Sequence, residues 1–255
     1  MKLTCLGSSS SGNCFVMEFD MGDGQTASLM VECGLSYQTI VKRATPYGVR
    51  ISELVGCLVT HSHQDHCKSA LDLAKRGIQI IATKGTLTAI GVPMGWPLEY
   101  GKPAPIAPGI KVLAFRVEHD APEPAGFIIK TAKETIMFAI DSKKWIDDVT
   151  AIAPSYLFIE ANYDPTLLAA EQFSLQRKAS ISDMQRYKLD ERIKESHMSI
   201  DQTLVQITKI NKTSLRAIFL THLSDRMSAP TNWKQQVSSM TGIPCYVCRK
   251  DGGIE

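Results

Sequence analysis

Half of the six histidines in this chain fall within one hexapeptide, His61-Ser62-His63-Gln64-Asp65-His66. Imidazole and carboxylate ligate Zn²⁺ and related ions at about 2.0–2.2 Å, and a catalytic site keeps one position open for water. In a turn, ligands at i and i+2 can point at one ion while those at i+4 and i+5 swing towards a second. His61 and His63 could therefore hold one metal, and Asp65 with His66 another. Two ions about 3.5–4 Å apart can share a bridging carboxylate and clamp both oxygens of a displacement at phosphorus or carbon. The spacing points to metal-assisted hydrolysis.

The remaining histidines are His119, His197 and His222. His61, His119 and His222 each follow an apolar, β-like run directly or within two residues, and Asp141 follows Met137-Phe138-Ala139-Ile140 in the same way. Catalytic groups gather on loops held by a rigid sheet. Four strand ends delivering three histidines and an aspartate would gather a metal site. His197 follows a helical stretch instead. It could donate a proton to a leaving oxygen or hold a phosphate oxygen, or it could simply cap the helix. Glu160 and Asn162 could orient His197 or a ligand from behind.

The elements that must position these residues are legible as apolar runs between turn signals. Strands are predicted at Leu3–Leu6, Cys14–Phe19, Ala27–Val31, Val55–Thr60, Ile78–Ala82, Lys111–Val117, Gly126–Thr131, Thr135–Ile140, Tyr156–Ile159 and, last, Leu215–Leu220. Helices are predicted over Cys67–Arg76 and Lys84–Ile90, and residues 167–210 read as mostly helical. Gly22-Asp23-Gly24 marks a turn, and the proline-rich stretch Val92–Pro108 reads as an irregular surface loop. The Ser8–Asn13 segment offers hydroxyls and backbone N–H groups that could cradle a phosphate, or it is only a tight turn. No internal repeat or linker divides the chain, so one domain spanning residues 1–255 is expected.

Composition narrows the function classes. With 28 Lys and Arg against 26 Asp and Glu, the net charge of +2 gives no strong basic excess for a long nucleic acid. The basic residues Arg177, Lys178, Arg186, Lys188, Arg192 and Lys194 read first as a solvated helix face and second as a means of substrate steering. No stretch approaches the roughly 20 apolar residues of a membrane span, and the N-terminus is too quickly polar for a signal peptide. The seven scattered cysteines suit a reducing cytoplasm. Cys245 and Cys248 form a lone CxxC, read as a strand residue and a turn residue rather than a redox or zinc pair.

The hexapeptide, with Leu58-Val59-Thr60 leading into it, resembles the signature of the metallo-β-lactamase superfamily. The likeness continues in order through His119, Asp141 and His222. It implies an α/β fold, a four-layered αββα sandwich with the site at one edge. It implies that one metal takes His61, His63 and His119, that a second takes Asp65, His66 and His222, and that Asp141 bridges them. Asp65 and His197 would serve as the catalytic residues. Two divalent ions are implied; imidazole-rich sites suit Zn²⁺, and Mn²⁺ or iron occupies similar ones.

Finer strings point further. Leu6-Gly7-Ser8-Ser9-Ser10-Ser11-Gly12-Asn13, His119-Asp120-Ala121-Pro122-Glu123-Pro124, Ile159-Glu160-Ala161-Asn162-Tyr163, Ser196-His197-Met198-Ser199 and His222-Leu223-Ser224-Asp225 look like the YycJ/WalJ branch. Members of that branch resemble ribonuclease Z and act on phosphodiesters, a 5′-to-3′ DNA exonuclease among them. The Ser-rich loop and Ser-His-Met-Ser also look like phage members such as the dimeric anti-Pycsar phosphodiesterases, which destroy cyclic mononucleotide signals. That likeness implies a cyclic nucleotide substrate and a homodimer in the host cytoplasm; the alternative is a nuclease acting on nucleic-acid ends. Asp141-Ser142-Lys143 stands where Asp-Thr-Gly is more familiar, and Glu32-Cys33-Gly34 where Asp-Ala-Gly is common. Neither departure removes a ligand.

Overall fold

Side chains alternate between the two faces of a strand, so a strand that is apolar at nearly every position must be covered on both sides. That is the condition of most strands here. The computed structural model describes residues 1–22, 24–92, 94–178 and 180–255, with the backbone alone at 176–178. Six strands form one sheet in chain order: β1 (Lys2–Gly7), β2 (Cys14–Gly22), β3 (Gln25–Val31), β4 (Leu54–Leu58), β5 (Ile80–Thr83) and β6 (Trp96–Leu98). The second sheet contains β7 (Ala104–Ala107), β8 (Ile110–Glu118), β9 (Ala125–Lys130), β10 (Thr135–Ala139), β11 (Lys144–Trp145), β12 (Tyr156–Glu160), β13 (Ala217–Thr221) and β14 (Cys245–Val247). Its order is β11-β8-β9-β10-β12-β13-β14, with β7 also on β8.

Eight α-helices, α1 (Tyr37–Ala44), α2 (Gln64–Cys67), α3 (Ala70–Ala74), α4 (Lys84–Ile90), α5 (Pro165–Lys178), α6 (Ile181–Ser196), α7 (Ile200–Lys209) and α8 (Pro230–Thr241), and two 3₁₀ turns, Thr45–Tyr47 and Ile51–Glu53, complete the described elements. Phe15, Met17 and Phe19 of β2 point into the space between the sheets, against Phe127 of β9, Phe138 of β10 and Phe158 of β12. Phe15 meets Phe138 edge-on at 5.5 Å. Burying such a ring stabilises the fold by roughly 1.5–3 kcal/mol relative to exposing it. The alternate residues Cys14 and Val16 turn outward onto Ile40 of α1 and Leu73 of α3. On the second sheet Met137 and Ile159 turn outward onto Ile207 of α7 and Trp233 of α8. The layers therefore run helix, sheet, sheet, helix within a single domain, as expected.

Several expectations need correction. The single helix expected over Cys67–Arg76 is two short ones, α2 and α3. Ser69 breaks it, because its N–H donates to Cys33 O and its hydroxyl to Leu35 O. The expected loop Val92–Pro108 contains β6 and β7, short strands whose Pro97 and Pro105 are tolerated at sheet margins. Leu215–Leu220 is not the last strand, since β14 follows it and carries Cys245. Asp23, Pro93 and the side chains of Arg177 and Lys178 lie outside the described residues. Among the described residues no helix is long and apolar enough to cross a membrane.

Candidate metal centre

The strand ends converge. β4 runs on to His61, β8 stops one residue before His119, β10 precedes Asp141, β12 ends on Glu160 and β13 precedes His222. Four of these strands are mutually parallel: β10, β12 and β13 pair directly, and β8 matches them through the intervening antiparallel β9. Ligands gather outside the carboxyl ends of such strands. Asp141 (φ 48°) and His222 (φ 53°) leave their strands in the left-handed region, as does Glu32 (φ 63°) after β3. Non-glycine residues held there cost on the order of 1–3 kcal/mol each and cluster at functional sites.

His61, His63 and His119 form one group of donors, their ligand atoms within 4.8 Å of one another. His63 Nδ1 lies 3.1 Å from both His61 Nε2 and His119 Nε2. The outward nitrogens are held from behind, which fixes which nitrogen faces inward. His119 Nδ1–H donates to Ser196 O at 3.0 Å, and His61 Nδ1 lies 2.9 Å from Thr60 Oγ1. Burial pulls the pKa of His61 well down and that of His119 down, favouring the neutral imidazole that a metal ligand requires.

Asp65, His66, Asp141 and His222 form the second group. Asp65 Oδ2 is 3.3 Å from both His66 Nε2 and His222 Nε2. Asp141 Oδ2 is 3.1 Å from His66 Nε2 and 3.8 and 3.9 Å from His61 and His119 Nε2, so it stands between the two groups. Behind His66, Glu32 Oε2 approaches Nδ1 at 3.5 Å. Burial alone would lower the pKa of His66 and His222; the charge of Asp141 overrides it and holds both well above the ordinary imidazole range. Burial would likewise raise Asp65 and Asp141, yet the two imidazoles hold both carboxyls low. The two carboxylates are balanced here by protons on the two imidazoles, which divalent cations would displace. The donor set, all imidazole and carboxylate with one carboxylate shared, fits them.

Asn13, Gly34 and Ser8 buttress the loop that carries these ligands. Asp65 O accepts from Asn13 N–H at 2.7 Å, and Cys33 N–H donates to His66 O at 2.8 Å. Gly34 passes so close that a Cβ there would lie 1.7 Å from Asp65 O. Ser8 Oγ accepts from His222 N–H at 2.9 Å. The serine-rich segment is thus tied to the site, and Ser10 of it lines the cavity. Glu160 is wholly buried and acts as a hub: one oxygen accepts from Ser142 and Met198 N–H, the other faces His197 and His222 Nδ1. Asn162 donates to His222 O at 2.9 Å. His197 is indeed the cap at the C-terminus of α6, yet it also lines the cavity, and it forms a third potential donor group with Asp141, Glu160 and His222. Burial pulls its pKa down, but Glu160 overrides this and raises it.

Two contributors were not singled out from sequence. Glu32 was noted only as a departure in its motif, although an acidic residue ending a buried strand run signals a role. Asp120 adjoins His119, with Oδ1 at 3.3 Å from His119 Nε2, and pairs with Arg192. The CxxC plays no part in the site: both cysteines are free and buried, and burial pushes the Cys245 thiol up to about 12.

The sequence family described as "Beta-lactamase superfamily domain" matches residues 28–223, most of the chain and all the candidate ligands. The chain belongs to this family. As a metallo-β-lactamase-fold member it resembles the exodeoxyribonuclease YycJ of Bacillus anthracis, with 23% identity over 236 residues covering 88% of this chain and 83% of the relative. Its fold matches the metallo-β-lactamase fold protein YhfI of Bacillus subtilis at TM-score 0.69 and 14% identity, covering 99% and 97% of the two chains. It also matches the short form of human tRNase Z at TM-score 0.65 and 14% identity (100% and 98%) and Zn²⁺-bound PqqB of Methylobacterium extorquens at 0.68 and 14% (100% and 99%). The family and the donor clusters together make it a metal-dependent hydrolase.

Proposed function

We propose that the protein is a dinuclear phosphodiesterase hydrolysing 3′,5′-cyclic mononucleotides. One observation carries the preference for a small substrate: α6 balances its four basic residues with four acidic ones, Asp183, Asp190, Glu191 and Glu195, so it presents no net positive track to a long polyanion. Arg186 meets Glu171 at 2.9 Å, Arg192 meets Asp120 at 2.8 Å and Lys194 meets Glu191 at 2.9 Å. The cavity over the candidate metal centre is about 380 Å³, at the small end of the range of ligand pockets, roughly 300–1,000 Å³.

Divalent ions held by His61, His63, His119, Asp65, His66, His222 and the shared Asp141 would activate water and offset charge developing on phosphate. The chain supplies the rest. His197 is the proton donor to the departing 3′ or 5′ oxygen; its Nδ1–H is held by Glu160, and its raised pKa keeps it protonated further towards neutral pH. Asp65 fixes His222 and His66 in register through one oxygen. Ser196, by receiving His119 Nδ1–H on its carbonyl, links the end of α6 to the first donor group.

A second reading, trimming of nucleic-acid ends by the same chemistry, is favoured by the likeness to an exodeoxyribonuclease. The test incubates metal-loaded protein with cyclic CMP, UMP, AMP and GMP beside linear single- and double-stranded DNA, with a chelator control. Chelator-sensitive opening of the cyclic nucleotides with inert DNA is expected. Trimmed DNA with untouched cyclic nucleotides, and binding that weakens steeply with salt, would select the nuclease reading instead.

A further inference from the structure

We infer that Arg192 is the substrate-binding residue that grips the phosphate, and that Asp120 is the internal anion it releases to do so. This rests on the phosphodiesterase reading of the same site.

Leu189, Arg192, Ile193 and Ser196 all line the cavity, and their i, i+3, i+4, i+7 spacing puts them on one face of α6. That face is apolar at Leu189 and Ile193, with a single guanidinium among them. Leu189 is half exposed, an unusual state for a leucine in a cavity wall and a fitting surface for a flat nucleobase. Arg192 Nε and Nη2 both reach the same oxygen of Asp120, at 2.9 and 2.8 Å. The other Asp120 oxygen lies 3.3 Å from His119 Nε2 and 3.8 Å from His63 Nε2. The carboxylate thus bridges a guanidinium and the first donor group, one oxygen to each, which is the position a substrate phosphate must take to lie between α6 and that group.

The exchange is energetically cheap. Arg192 and Asp120 side chains are 57% and 43% exposed, and exposed ion pairs are worth about 0–1 kcal/mol. Guanidinium carries five N–H donors in a fork matched to phosphate, and one carboxylate oxygen uses only two of them. A phosphate can bind the free edge first and displace Asp120 afterwards. The Arg192–Asp120 pair is itself neutral, so inorganic phosphate can make the exchange on its own charge, and a phosphodiester gains further by placing a base on Leu189 and Ile193.

The test measures binding of inorganic phosphate to the metal-loaded protein by calorimetry, and hydrolysis of bis(p-nitrophenyl) phosphate, for the wild type, Arg192→Ala, Arg192→Lys and Asp120→Asn. Metal content and thermal unfolding are followed in each. Arg192→Ala is expected to weaken phosphate binding by about tenfold to a hundredfold, the effect of losing hydrogen bonds to a charged group, and to raise KM similarly with kcat within about threefold. Arg192→Lys should recover only part of this, because a point charge lacks the fork. Asp120→Asn should tighten phosphate binding by removing the competing anion. Unchanged phosphate affinity and KM in Arg192→Ala would overturn the assignment, as would wild-type protein that binds no phosphate. Asp120→Asn weakening phosphate in step with Arg192→Ala would overturn the exchange. Phosphate binding that depends on Arg192 in a protein inert to every phosphodiester would refute the phosphodiesterase reading and leave this site standing.

Discussion

Glu160→Gln is the substitution that reports most on how the site works. The side chain is wholly buried and carries four contacts: Ser142 N–H at 2.9 Å, Met198 N–H at 3.3 Å, His222 Nδ1 at 3.2 Å and His197 Nδ1. Glutamine keeps the volume, but one of its two arms becomes an NH₂. Whichever arm that is, it faces donors: the two backbone N–H groups, or His197 Nδ1–H and His222. Hydrogen bonds to a charged group are worth about 1.5–3 kcal/mol, so losing one or two costs stability on the order of 3 kcal/mol. The pH dependence gives a second reading. Burial pulls His197 down and Glu160 pulls it up, with the net shift upward. A base whose folded pKa is raised contributes stability that is fully present below the unfolded value, roughly 6.5, and is lost as pH rises through the folded value. With the carboxylate gone, burial and the neighbouring His222 are opposed only by Asp141, so the His197 pKa should fall. The assay is kcat against pH, with chemical denaturation at matched pH values and metal content by elemental analysis. The alkaline limb of kcat is expected to move to lower pH, with a fall of about 10² to 10⁴ at neutral pH if His197 is the donor. An unmoved alkaline limb with wild-type stability would refute the role given to the Glu160–His197 pair.

Other perturbations probe the remaining parts. His61→Ala combined with His63→Ala should abolish turnover and lower metal content; full activity in that double variant would exclude the donor group it dismantles. Gly34→Ala would place a Cβ 1.7 Å from the Asp65 carbonyl; overpacking of about 3 kcal/mol should lower the melting temperature on the order of 6–12 °C, with weakened metal retention, and an unshifted melting curve would show that the loops can part. Metal affinity should begin to weaken on acidification above the ordinary imidazole pKa, because Asp141 favours protonation of His66 and His222 in the metal-free protein. Dialysis against a pH series checks this, and retention down to the carboxylate range would contradict it.

Much of the site was visible in the sequence because each ligand follows a strand, and strands buried on both faces announce themselves as unbroken apolar runs. The αββα layering follows from the same runs once alternation assigns Phe15, Met17 and Phe19 to one face and Cys14 and Val16 to the other. What escaped was decided by tertiary contacts. Ser69 interrupts a helical pattern to serve the Cys33–Leu35 backbone. α8 was missed because only Trp233 and Val237 are buried along it, among polar neighbours. The roles of Glu32 and Asp120 depend on distances between segments far apart in the chain. The basic run on α6 was legible as charge, but its pairing with Glu171, Asp120 and Glu191 was not.

The most direct test adds Zn²⁺ in measured equivalents to metal-stripped protein and follows hydrolysis of a 3′,5′-cyclic mononucleotide at each step. Turnover that climbs to a plateau at two equivalents per chain is expected from two donor groups joined at Asp141. Full turnover at one equivalent, or in the stripped protein, would contradict a dinuclear phosphodiesterase.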